Sequence, residues 1–511
     1  MELIYKIDFN TTNFYFKHII DDLIEDTKVK ATCKMYRGFI LLVCEDEPEK
    51  IEEFFKVLEE NLPLSIFISN AQVVENFDFD AFTELEEQDV KLNLSLLTND
   101  EITKTINENN IDFTNDIEKI KSGGVSRFET HNGLKDLFLP STKLREEFES
   151  KGYEVKLLIT NINNISNLVD ISQKDLQLLC SIERPLVKLK FKLLQNAKGE
   201  FSNSRFIYAK IADDKETLLF SQALKEKGID YLLYVNDDVY QDGLKVTYSE
   251  DQNIIIHGEK GLFPKYDYDL KRRVNSSEDY FDEYGSVFKA TLAQFNKRLV
   301  PTIGAYFSYT SDESAIKINS AEHGEKDIVL VPNVVNDIEK CFDDIRSIDE
   351  NTSRLIDNYK KSFPKYFEKE FVDTDADGFE AILNMLAYCL GMKDYKQFED
   401  TALMFGGKSG LQIDMKVMQI DGKNYLDYRR IIQSTMSYKV AGVEDTLLAY
   451  SFYESLCDFI ADNVTEIQSD FNAKDIILCG DMFANSILLS KLKKKLNTIT
   501  ALIPKEYPLD Y

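Results

Sequence analysis

The sequence predicts a multidomain protein of mixed α/β and α+β class, and its length and hydrophobic patterning support this prediction. The chain has 511 residues, whereas folded domains usually hold about 100–200 residues each. Short strand-like runs alternate with stretches in which apolar residues recur at helical spacing. Because 43% of the residues are hydrophobic, with 34 Phe and 26 Tyr, the chain can fill several cores. We therefore expect folded domains rather than a disordered chain.

The first 78 residues predict a βαββαβ unit, which is the ferredoxin-like arrangement. The strand-like runs are residues 3–9, 29–33, 38–44 and 64–69, and the helical runs are residues 16–24 and 51–58. In the second helical run, Ile51, Phe54, Phe55 and Leu58 share one face, as an amphipathic helix requires. We expect one sheet with two helices packed on it.

The rest of the chain predicts a linker and two further domains. Residues 79–105 are acidic and irregular, which is typical of a linker. Residues 106–275 alternate strands and helices, as an α/β or α+β domain does, and residues 276–511 become increasingly helical. Within this third region, a short buried strand at 474–480 ends in glycine, and helical periodicity follows from Met482. A strand, a glycine turn and a helix N-terminus in this order often contact a phosphate.

The charge and the cysteine content exclude several functional classes. With 61 basic and 89 acidic side chains the net charge is −28, which disfavours nucleic acids and anionic membranes as partners. No apolar run approaches the roughly 18 residues of a spanning helix, and the N-terminus lacks the pattern of a secretory signal. We therefore expect a cytoplasmic protein without membrane insertion. The seven cysteines form no C-x-x-C pair, and no histidine follows His323, so we expect no metal site.

Two glycine turns in the third region are the candidate ligand-binding elements. Glycine is scarce, at 21 of 511 residues, so a concentration of glycines is informative. The residues are Gly406, Gly407, Lys408, Ser409 and Gly410 in the first turn, and Gly480, Asp481 and Asn485 in the second. In the first turn, backbone amides and an ammonium group together would hold an anion. A plain connecting turn is the alternative.

Four segments of the chain match short motifs of one protein family. Residues 178–187 (LLCSIERPLV) resemble an S-P-E-R-P-I-V run, and residues 254–257 (IIIH) resemble a strand that ends in His-Asp. Residues 403–410 are similar to a D-G-T-G-Y-G turn in reduced form, and residues 477–485 resemble an S-G-G-V-F-x-N turn. In these motifs, and in their order along most of the chain, the sequence resembles the HypF family, the carbamoyltransferases of NiFe-hydrogenase maturation.

The resemblance implies names for the predicted domains. Residues 1–78 correspond to an acylphosphatase-like domain, residues 106–275 to a YrdC-like domain, and residues 276–511 to a TsaD-like domain of the ASKHA superfamily. The linker at 79–105 takes the place of the zinc fingers of the family. The third domain is expected to be truncated at its C-terminal end, where the family continues with a D-G-G loop. The two glycine turns then correspond to nucleotide loops that meet across the cleft of an ASKHA fold.

In the first domain, the chain departs from the residues that the resemblance assigns to catalysis. The acyl-phosphate loop Q-G-V-G-F-R is replaced by residues 12–17 (TNFYFK), in which Phe14 and Tyr15 are bulky and Lys17 stands for the arginine. A lysine keeps the charge of an arginine but lacks its bidentate fork. The catalytic asparagine of the family falls near Lys34. We expect a folded domain without acylphosphatase activity.

The other two domains depart from the family in the same way. The ATP-binding cations of the YrdC-like part correspond to Arg145, Lys151 and Lys156, which are interspersed with glutamates. A charged helix face explains these cations more simply. Of an S-x-N motif only Asn236 remains, and the metal-binding H-x-x-x-H of the third domain falls at 377–381, where no histidine stands.

Two further patterns have ordinary explanations beside the functional ones. Residues 373–378 (DTDADG) match the start of a calcium-binding EF-hand loop, but its twelfth position is Asn384 instead of a glutamate. An acidic helix N-terminus is the alternative. Lysines at 491 and 493–495 form a basic run, which is typical of a solvated helix face, with a docking patch for an acidic partner as the alternative.

Two hypotheses about function follow. The first is a HypF-derived accessory protein, similar to HydE-type accessory proteins, that has lost catalysis and assists NiFe-hydrogenase maturation by binding hydrogenase subunits or other maturation proteins. The second is an active carbamoyltransferase or nucleotide-binding enzyme of the HypF type, which supplies carbamoyl groups for the cyanide ligands of the NiFe site. We favour the first, because the departures occur in all three regions. It implies no catalytic residue, no cofactor and at most weak binding of ATP at the two glycine turns.

Overall fold

The computed structural model divides the chain into two compact units. It describes residues 2–11, 14–86, 99–109, 111–130, 133–236, 244–257, 266–267, 272–273, 284–309, 311, 313–334, 337–368, 378–505 and 509–510. The first unit comprises Met1–Thr247, Gly258–Asp279 and Lys505–Pro508, and the second comprises Tyr248–His257, Tyr280–Pro504 and Leu509–Tyr511. The boundaries of the three predicted domains stay predictions.

The N-terminal part of the first unit folds in the predicted order βαββαβ. Its elements are β1 (Glu2–Phe9), α1 (Tyr15–Thr27), β2 (Ala31–Tyr36), β3 (Phe39–Glu45), α2 (Pro48–Asn61) and β4 (Ile68–Val74). The strands form an antiparallel sheet in the order β2-β3-β1-β4. Phe16 and Ile20 on α1, and Phe54 and Leu58 on α2, are buried, so each helix turns its apolar face inward as its spacing predicts.

The last strand of this sheet begins later than predicted. The sequence predicts a strand at 64–69, whereas β4 spans Ile68–Val74. The preceding backbone is engaged elsewhere in the first unit. The Leu64 carbonyl accepts a hydrogen bond from the Ile182 N–H at 2.8 Å. An apolar run therefore did not by itself fix the start of the strand.

The rest of the first unit is built on a second, mixed sheet. Its elements are α3 (Asn99–Glu108), α4 (Thr114–Lys121), β5 (Ser126–Thr130), β6 (Gly133–Phe138), α5 (Thr142–Ser150), β7 (Lys156–Ile159), β8 (Val169–Asp170), α6 (Gln173–Leu179), β9 (Leu186–Phe191), β10 (Phe206–Ile211), α7 (Lys215–Glu226), β11 (Tyr231–Asn236) and β12 (Lys245–Tyr248). The strands lie in the order β12-β9-β10-β7-β11-β6-β5, and β8 pairs with β9. The pairs β7–β10 and β9–β12 are parallel. Helix α3 begins inside the segment 79–105 that was expected to be irregular.

A buried carboxylate connects the two sheets of the first unit. Glu183, between α6 and β9, accepts hydrogen bonds from the hydroxyl of Tyr15, the hydroxyl of Ser65 at 2.5 Å and the amide of Ile66 at 3.0 Å. The Glu183 side chain is 5% exposed, and its burial raises the pKa of the carboxyl group. Glu183 lies in the segment 178–187 that resembles a family motif, and Tyr15 lies in the counterpart of the acyl-phosphate loop. This contact thus joins a segment that resembles a family motif to the counterpart of the acyl-phosphate loop.

The second unit surrounds a third sheet with helices. Its elements are β13 (Ile254–His257), α8 (Val287–Gln294), β16 (Thr302–Tyr306), β17 (Ala315–Ser320), β18 (Gly324–Leu330), α9 (Ile338–Arg346), α10 (Glu350–Ser362), α11 (Gly378–Cys389), α12 (Tyr395–Leu403), β19 (Val417–Ile420), β20 (Lys423–Leu426), α13 (Tyr428–Val440), α14 (Asp445–Phe471), β21 (Asp475–Cys479), α15 (Ser486–Lys495) and β22 (Thr500–Leu502). The labels β14 and β15 denote a short antiparallel pair in the first unit, Tyr266–Asp267 and Arg272–Arg273.

The sheet of the second unit follows the order β19-β20-β18-β17-β16-β21-β22. Every residue of α11 except Glu380 is buried, and the long helix α14 contributes Phe452, Leu456 and Ile460 to the same core. The strand predicted at 474–480 is β21, and it is buried along its whole length. Among the helices in the described ranges, none combines the length and the apolar character needed to cross a membrane.

The carboxylate of Glu183 predicts the effect of a small substitution in the first unit. Tyr15→Phe removes one hydrogen bond to a buried charged group, so we expect the free energy of unfolding to fall by about 1.5–3 kcal/mol. Glu183→Ala should cost more, because it leaves the Ser65 and Ile66 donors without their acceptor. Urea denaturation monitored by circular dichroism measures both effects. The matched control is Glu118→Ala on the exposed face of α4, which should change stability by less than about 0.5 kcal/mol.

Candidate functional site

The second glycine turn, Gly480–Asn485, is shaped by close backbone packing. Gly480 has φ +99°, and a Cβ atom at this position would lie 2.1 Å from the carbonyl oxygen of Phe307. Its amide donates a hydrogen bond to the carbonyl of Leu509 at 2.7 Å. Glycine is therefore required here by sterics, and its N–H group is already bonded within the second unit.

Asp481 does not cap the helix that follows the turn. Its carboxylate accepts a hydrogen bond from the Tyr309 amide at 2.7 Å. A short 3₁₀ turn, Asp481–Ala484, separates it from α15. The helix is capped instead by Asn485, whose Oδ1 accepts from the amides of Ile487 and Leu488 at 3.0 and 3.2 Å. The preference for Asn at an N-cap is thus met one turn further along the chain.

The surroundings of Asp481 are acidic. Burial, together with the nearby carboxylates of Asp510 and Glu399, raises the pKa of Asp481 to about 7. Asp510 accepts a hydrogen bond from the hydroxyl of Tyr306 at 2.9 Å, and the amide of Asn485 reaches Glu399 at 3.4 Å. A phosphate at this turn would meet three carboxyl groups.

The first glycine turn, Gly406–Gly410, is fastened to two helices of the second unit. The Gly410 amide donates to the carboxylate of Glu454 on α14. The carbonyl of Lys408 accepts hydrogen bonds from the hydroxyl of Tyr450 at 3.2 Å and from the ammonium group of Lys491 at 2.6 Å. Lys491 also pairs with Glu454 at 2.7 Å. The loop is therefore held by side chains that flank it, while the side chains of Lys408 and Ser409 are exposed.

The two turns share the helix α15 but not their hydrogen-bond partners. Asn485 at the N-cap of α15 contacts Glu399, and Lys491 in its middle holds the Gly406–Gly410 turn. The Gly410 amide is bonded to Glu454 and the Gly480 amide to Leu509. These amides, with carboxylates beside them, do not fit a nucleotide phosphate, which requires unengaged donors.

Sequence reasoning missed the side chains that hold these turns. Tyr309, Glu399 and Asp510 are far apart in the sequence, and no local pattern relates them. For two serines on α14 that bind the segment after the first turn, the sequence contains a weak indication. Ser451 and Ser455 stand one helical turn apart in an otherwise apolar stretch, and they accept hydrogen bonds from the amides of residues 411 and 413, both at 2.8 Å.

The counterpart of the metal-binding H-x-x-x-H segment also serves the fold. Ala381 is buried and offers no ligand atom. Asn384, one turn after Glu380 on α11, accepts a hydrogen bond from the Tyr395 amide at 2.8 Å. Residues 373–377 of the EF-hand-like pattern lie outside the described residues. In the part of the chain that the structure describes, no group of three or more His, Cys, Asp or Glu side chains has the geometry of a metal site.

In the first unit, the basic side chains that correspond to the ATP-binding cations are paired with glutamates. Arg145 is 1% exposed, so it lies in the interior instead of on a solvated helix face. Its guanidinium group donates to Glu149 at 2.5 Å and to the Gly199 carbonyl at 2.9 Å. Lys151 pairs with Glu147 at 2.8 Å, and Lys156 with Glu154 at 3.5 Å.

Near these residues the structure contains a buried ionic cluster that sequence reasoning did not detect. The Lys135 ammonium group contacts Asp213 at 3.0 Å and Asp214 at 3.2 Å, and the Lys210 ammonium group contacts Asp213 at 2.5 Å. All four side chains are at most 3% exposed. Two lysines and two aspartates balance in charge, as buried ions must. Asn236, the remnant of the S-x-N motif, is buried at the end of β11.

The counterpart of the acyl-phosphate loop is closed by side chains. Phe14 and Tyr15 are buried, and the Lys17 ammonium group pairs with Asp21 at 2.6 Å, one helical turn away. Lys34, near the position of the catalytic asparagine, pairs with Glu84 at 3.0 Å. No glycine supplies the close backbone approach that an acyl phosphate needs.

The basic run on α15 is also neutralised within the second unit. Lys493 pairs with Asp251, Lys494 with Glu250 and Lys495 with Asp458. Together with the pairing of Lys491, these contacts favour the interpretation of the run as part of the surface over that of a docking patch for an acidic partner.

Two solved structures of HypF proteins align with nearly the whole of this chain. HypF from T. kodakarensis aligns with a TM-score of 0.60 at 12% sequence identity, over 99% of this chain and 96% of that one. A full-length HypF in a phosphate- and nucleotide-bound form aligns with a TM-score of 0.56 at 12% identity, over 100% and 96%. The family model HypF_C_2, described as the second subdomain of a Kae1-like carbamoyltransferase domain, matches residues 365–510.

These similarities show that the chain has a HypF-like fold of mixed α/β class, which confirms the predicted fold class and the resemblance. Among individual proteins, Protein HydE of Wolinella succinogenes is 22% identical over 424 residues, which covers 77% of this chain and 73% of HydE. The resemblance to HydE-type proteins that the sequence indicates is thus supported by a direct match.

The close packing at the second turn predicts the effect of adding one methyl group. In Gly480→Ala the new Cβ meets the Phe307 carbonyl, and alanine disfavours the left-handed φ. We expect the unfolding free energy to fall by roughly 2–6 kcal/mol, from overpacking and backbone strain together. Thermal denaturation measures the loss. Gly406→Ala is the matched control, because its Cβ meets nothing within 4 Å, and it should leave the Tm unchanged.

The raised pKa of Asp481 predicts a pH-dependent stability. Because the pKa is about 7 in the folded protein and 3.8 ordinarily, folding is favoured at low pH and loses this contribution as the pH rises towards 7. We expect Asp481→Asn to be more stable than the natural protein at pH 8, with the difference shrinking at pH 5. Asparagine keeps the oxygen that accepts from Tyr309. Urea denaturation at the two pH values measures this, and an equal difference at both would contradict the assignment.

Proposed function

We propose that this protein is a HypF-derived accessory factor in NiFe-hydrogenase maturation that has lost catalysis and acts by binding hydrogenase subunits or other maturation proteins. One observation carries the proposal. In each region that the resemblance assigns to a phosphate or a nucleotide, a corresponding cation or amide is engaged by a carboxylate or carbonyl of the same chain. We further propose a cytoplasmic location, and no nucleic-acid partner because the net charge is −28.

The engaged groups come from all three regions. Lys17 is bonded to Asp21, Arg145 to Glu149, the Gly410 amide to Glu454, and the Gly480 amide to the Leu509 carbonyl. A phosphate would have to displace an internal partner at each place, and a partly buried carboxylate left without its cation is unfavourable. Loss of binding groups in one region would leave an enzyme with an altered step, whereas loss in all three supports a role in binding.

The alternative is an active carbamoyltransferase of the HypF type. It is favoured by the match of residues 365–510 to a carbamoyltransferase subdomain and by the retained fold. In that case ATP would be held near Gly406–Gly410 and Gly480–Asn485, after the internal hydrogen bonds of these turns had opened.

Calorimetric titration with ATP and magnesium separates the two functions. We expect no saturable binding tighter than about 1 mM, and no difference between the natural protein and Lys408→Ala, because the Gly410 and Gly480 amides are already bonded within the chain. Micromolar binding that is lost in Lys408→Ala would favour the enzyme.

Genetic complementation in the native host tests the role itself. We expect deletion of the gene to lower hydrogenase activity, and a variant with Lys17→Ala and Lys408→Ala to restore it as well as the natural gene does. Restoration only by the natural gene would indicate that catalysis has survived, and unaltered hydrogenase activity in the deletion strain would contradict both functions.

A further inference from the structure

The hairpin loop between β9 and β10 displays two leucines to solvent. Leu193 is 75% exposed and Leu194 is 78% exposed. Leu194 also has φ +73°, in the left-handed region that a branched side chain disfavours. Adjacent apolar side chains at the tip of a loop gain nothing from solvent. Their exposure, together with the surroundings of the loop, makes them candidates for contact with another molecule.

The loop that carries the two leucines is held by internal hydrogen bonds. Within it, the side chain of Asn196 donates to the carbonyls of Ser202 and Ser204 at 2.6 and 3.0 Å and accepts from the amide of Phe201 at 3.1 Å. Such a network fixes the shape of the loop. The leucines are therefore presented by a preformed element, which lowers the entropic cost of binding.

Helix α5 anchors this loop to the body of the first unit. The buried Arg145 donates to the Gly199 carbonyl at 2.9 Å, Thr142 donates to the Lys198 carbonyl at 3.2 Å, and Asn203 donates to Glu149 at 2.8 Å. The cation that the resemblance assigns to ATP thus supports the loop.

The loop and its flanking strands are basic in a strongly acidic chain. Between residues 188 and 205 stand five basic side chains and one acidic side chain, although the whole chain has a net charge of −28. Lys192 and Lys198, on either side of the leucines, are exposed, and no ion pair engages them among the residues that the structure describes. At physiological salt, the interaction between exposed charges is screened beyond about 8 Å. A partner docked on the loop therefore interacts with the local positive charge and not with the negative net charge of the whole chain.

We propose that residues 192–198 form a docking loop for another protein, whose complementary surface is an apolar pocket bordered by carboxylates. The leucines fill the pocket, and Lys192 and Lys198 pair with its rim, as in interfaces that combine an apolar centre with a polar border. A lipid bilayer is a poorer occupant. Two leucines bury less apolar surface than a single myristoyl chain, which by itself gives only marginal membrane binding.

Binding to purified NiFe hydrogenase of the native host, measured by calorimetry with the full-length chain, tests the loop. Hydrogenase is chosen as the probe because of the proposed function, whereas the docking loop itself is inferred from exposure, hydrogen bonds and charge alone. We expect Leu193→Asn with Leu194→Asn to weaken binding by about tenfold or more. Asparagine tolerates a positive φ, so the Tm should not fall, and loss of binding is then not unfolding. Lys192→Glu with Lys198→Glu should weaken binding and flatten its salt dependence.

The controls are residues of equal exposure elsewhere. Leu299→Asn, at 78% exposure, and Lys361→Glu with Lys365→Glu, also exposed, should each change affinity by less than about twofold. If hydrogenase binds equally well to the leucine variant, the docking loop is wrong while the proposed function survives.

If hydrogenase does not bind, a photo-crosslinking residue placed at position 193 in the native host tests the docking loop independently of the hydrogenase role. Adducts to an apolar peptide flanked by acidic residues in another protein, absent when the crosslinker is at position 299, support the docking loop without the hydrogenase role. Adducts to a second copy of this chain, or none at all, overturn it. Leucine-dependent flotation with phosphatidylcholine–phosphatidylglycerol vesicles would overturn it in favour of a membrane.

Discussion

Ion pairs between basic side chains and carboxylates of the same chain determine the electrostatics of the candidate sites in this protein. Acidic side chains outnumber basic ones by 89 to 61, so a lysine or arginine easily finds a carboxylate of its own chain. Lys17 and Arg145, which the resemblance maps to anion-binding positions, both do so, and so does Lys491 beside the Gly406–Gly410 turn. Since a neutralised cation attracts a phosphate weakly, these ion pairs lower the affinity of the three positions for an anion without disturbing the fold.

Several residues in segments that resemble family motifs make contacts that stabilise the fold. Glu183 stands in a segment similar to a family motif, yet it receives three hydrogen bonds that connect two sheets. Arg145 supports a loop, and Asp481 binds the backbone of a neighbouring strand end. Polar residues in these segments therefore contribute to the stability of the fold, whatever chemistry the fold supports.

The sequence predicted the parts of the structure that depend on local periodicity. The βαββαβ order, β21 and the buried face of α2 follow from spacing within a few residues. Prediction from the sequence failed for contacts whose hydrogen-bond partner is distant along the chain. The Tyr309 amide that donates to Asp481 lies 172 residues earlier, so no pattern of neighbouring residues indicates this contact. Likewise the apolar residues at 64–66 looked like a strand, but a segment more than a hundred residues later engages their backbone.

The hydrogen bonds of Leu509 have a consequence for the order in which the protein matures. Its amide donates to Ile256 at 2.9 Å, its carbonyl accepts from Gly480 at 2.7 Å, and its side chain is fully buried. During synthesis on the ribosome, a nascent chain that has reached residue 504 still lacks this bridge between β13 and the end of β21. The first unit draws chiefly on residues before 248 and has emerged long before then. During synthesis, the first unit is therefore accessible to chaperones and partners before the second unit can form the hydrogen bonds of Leu509.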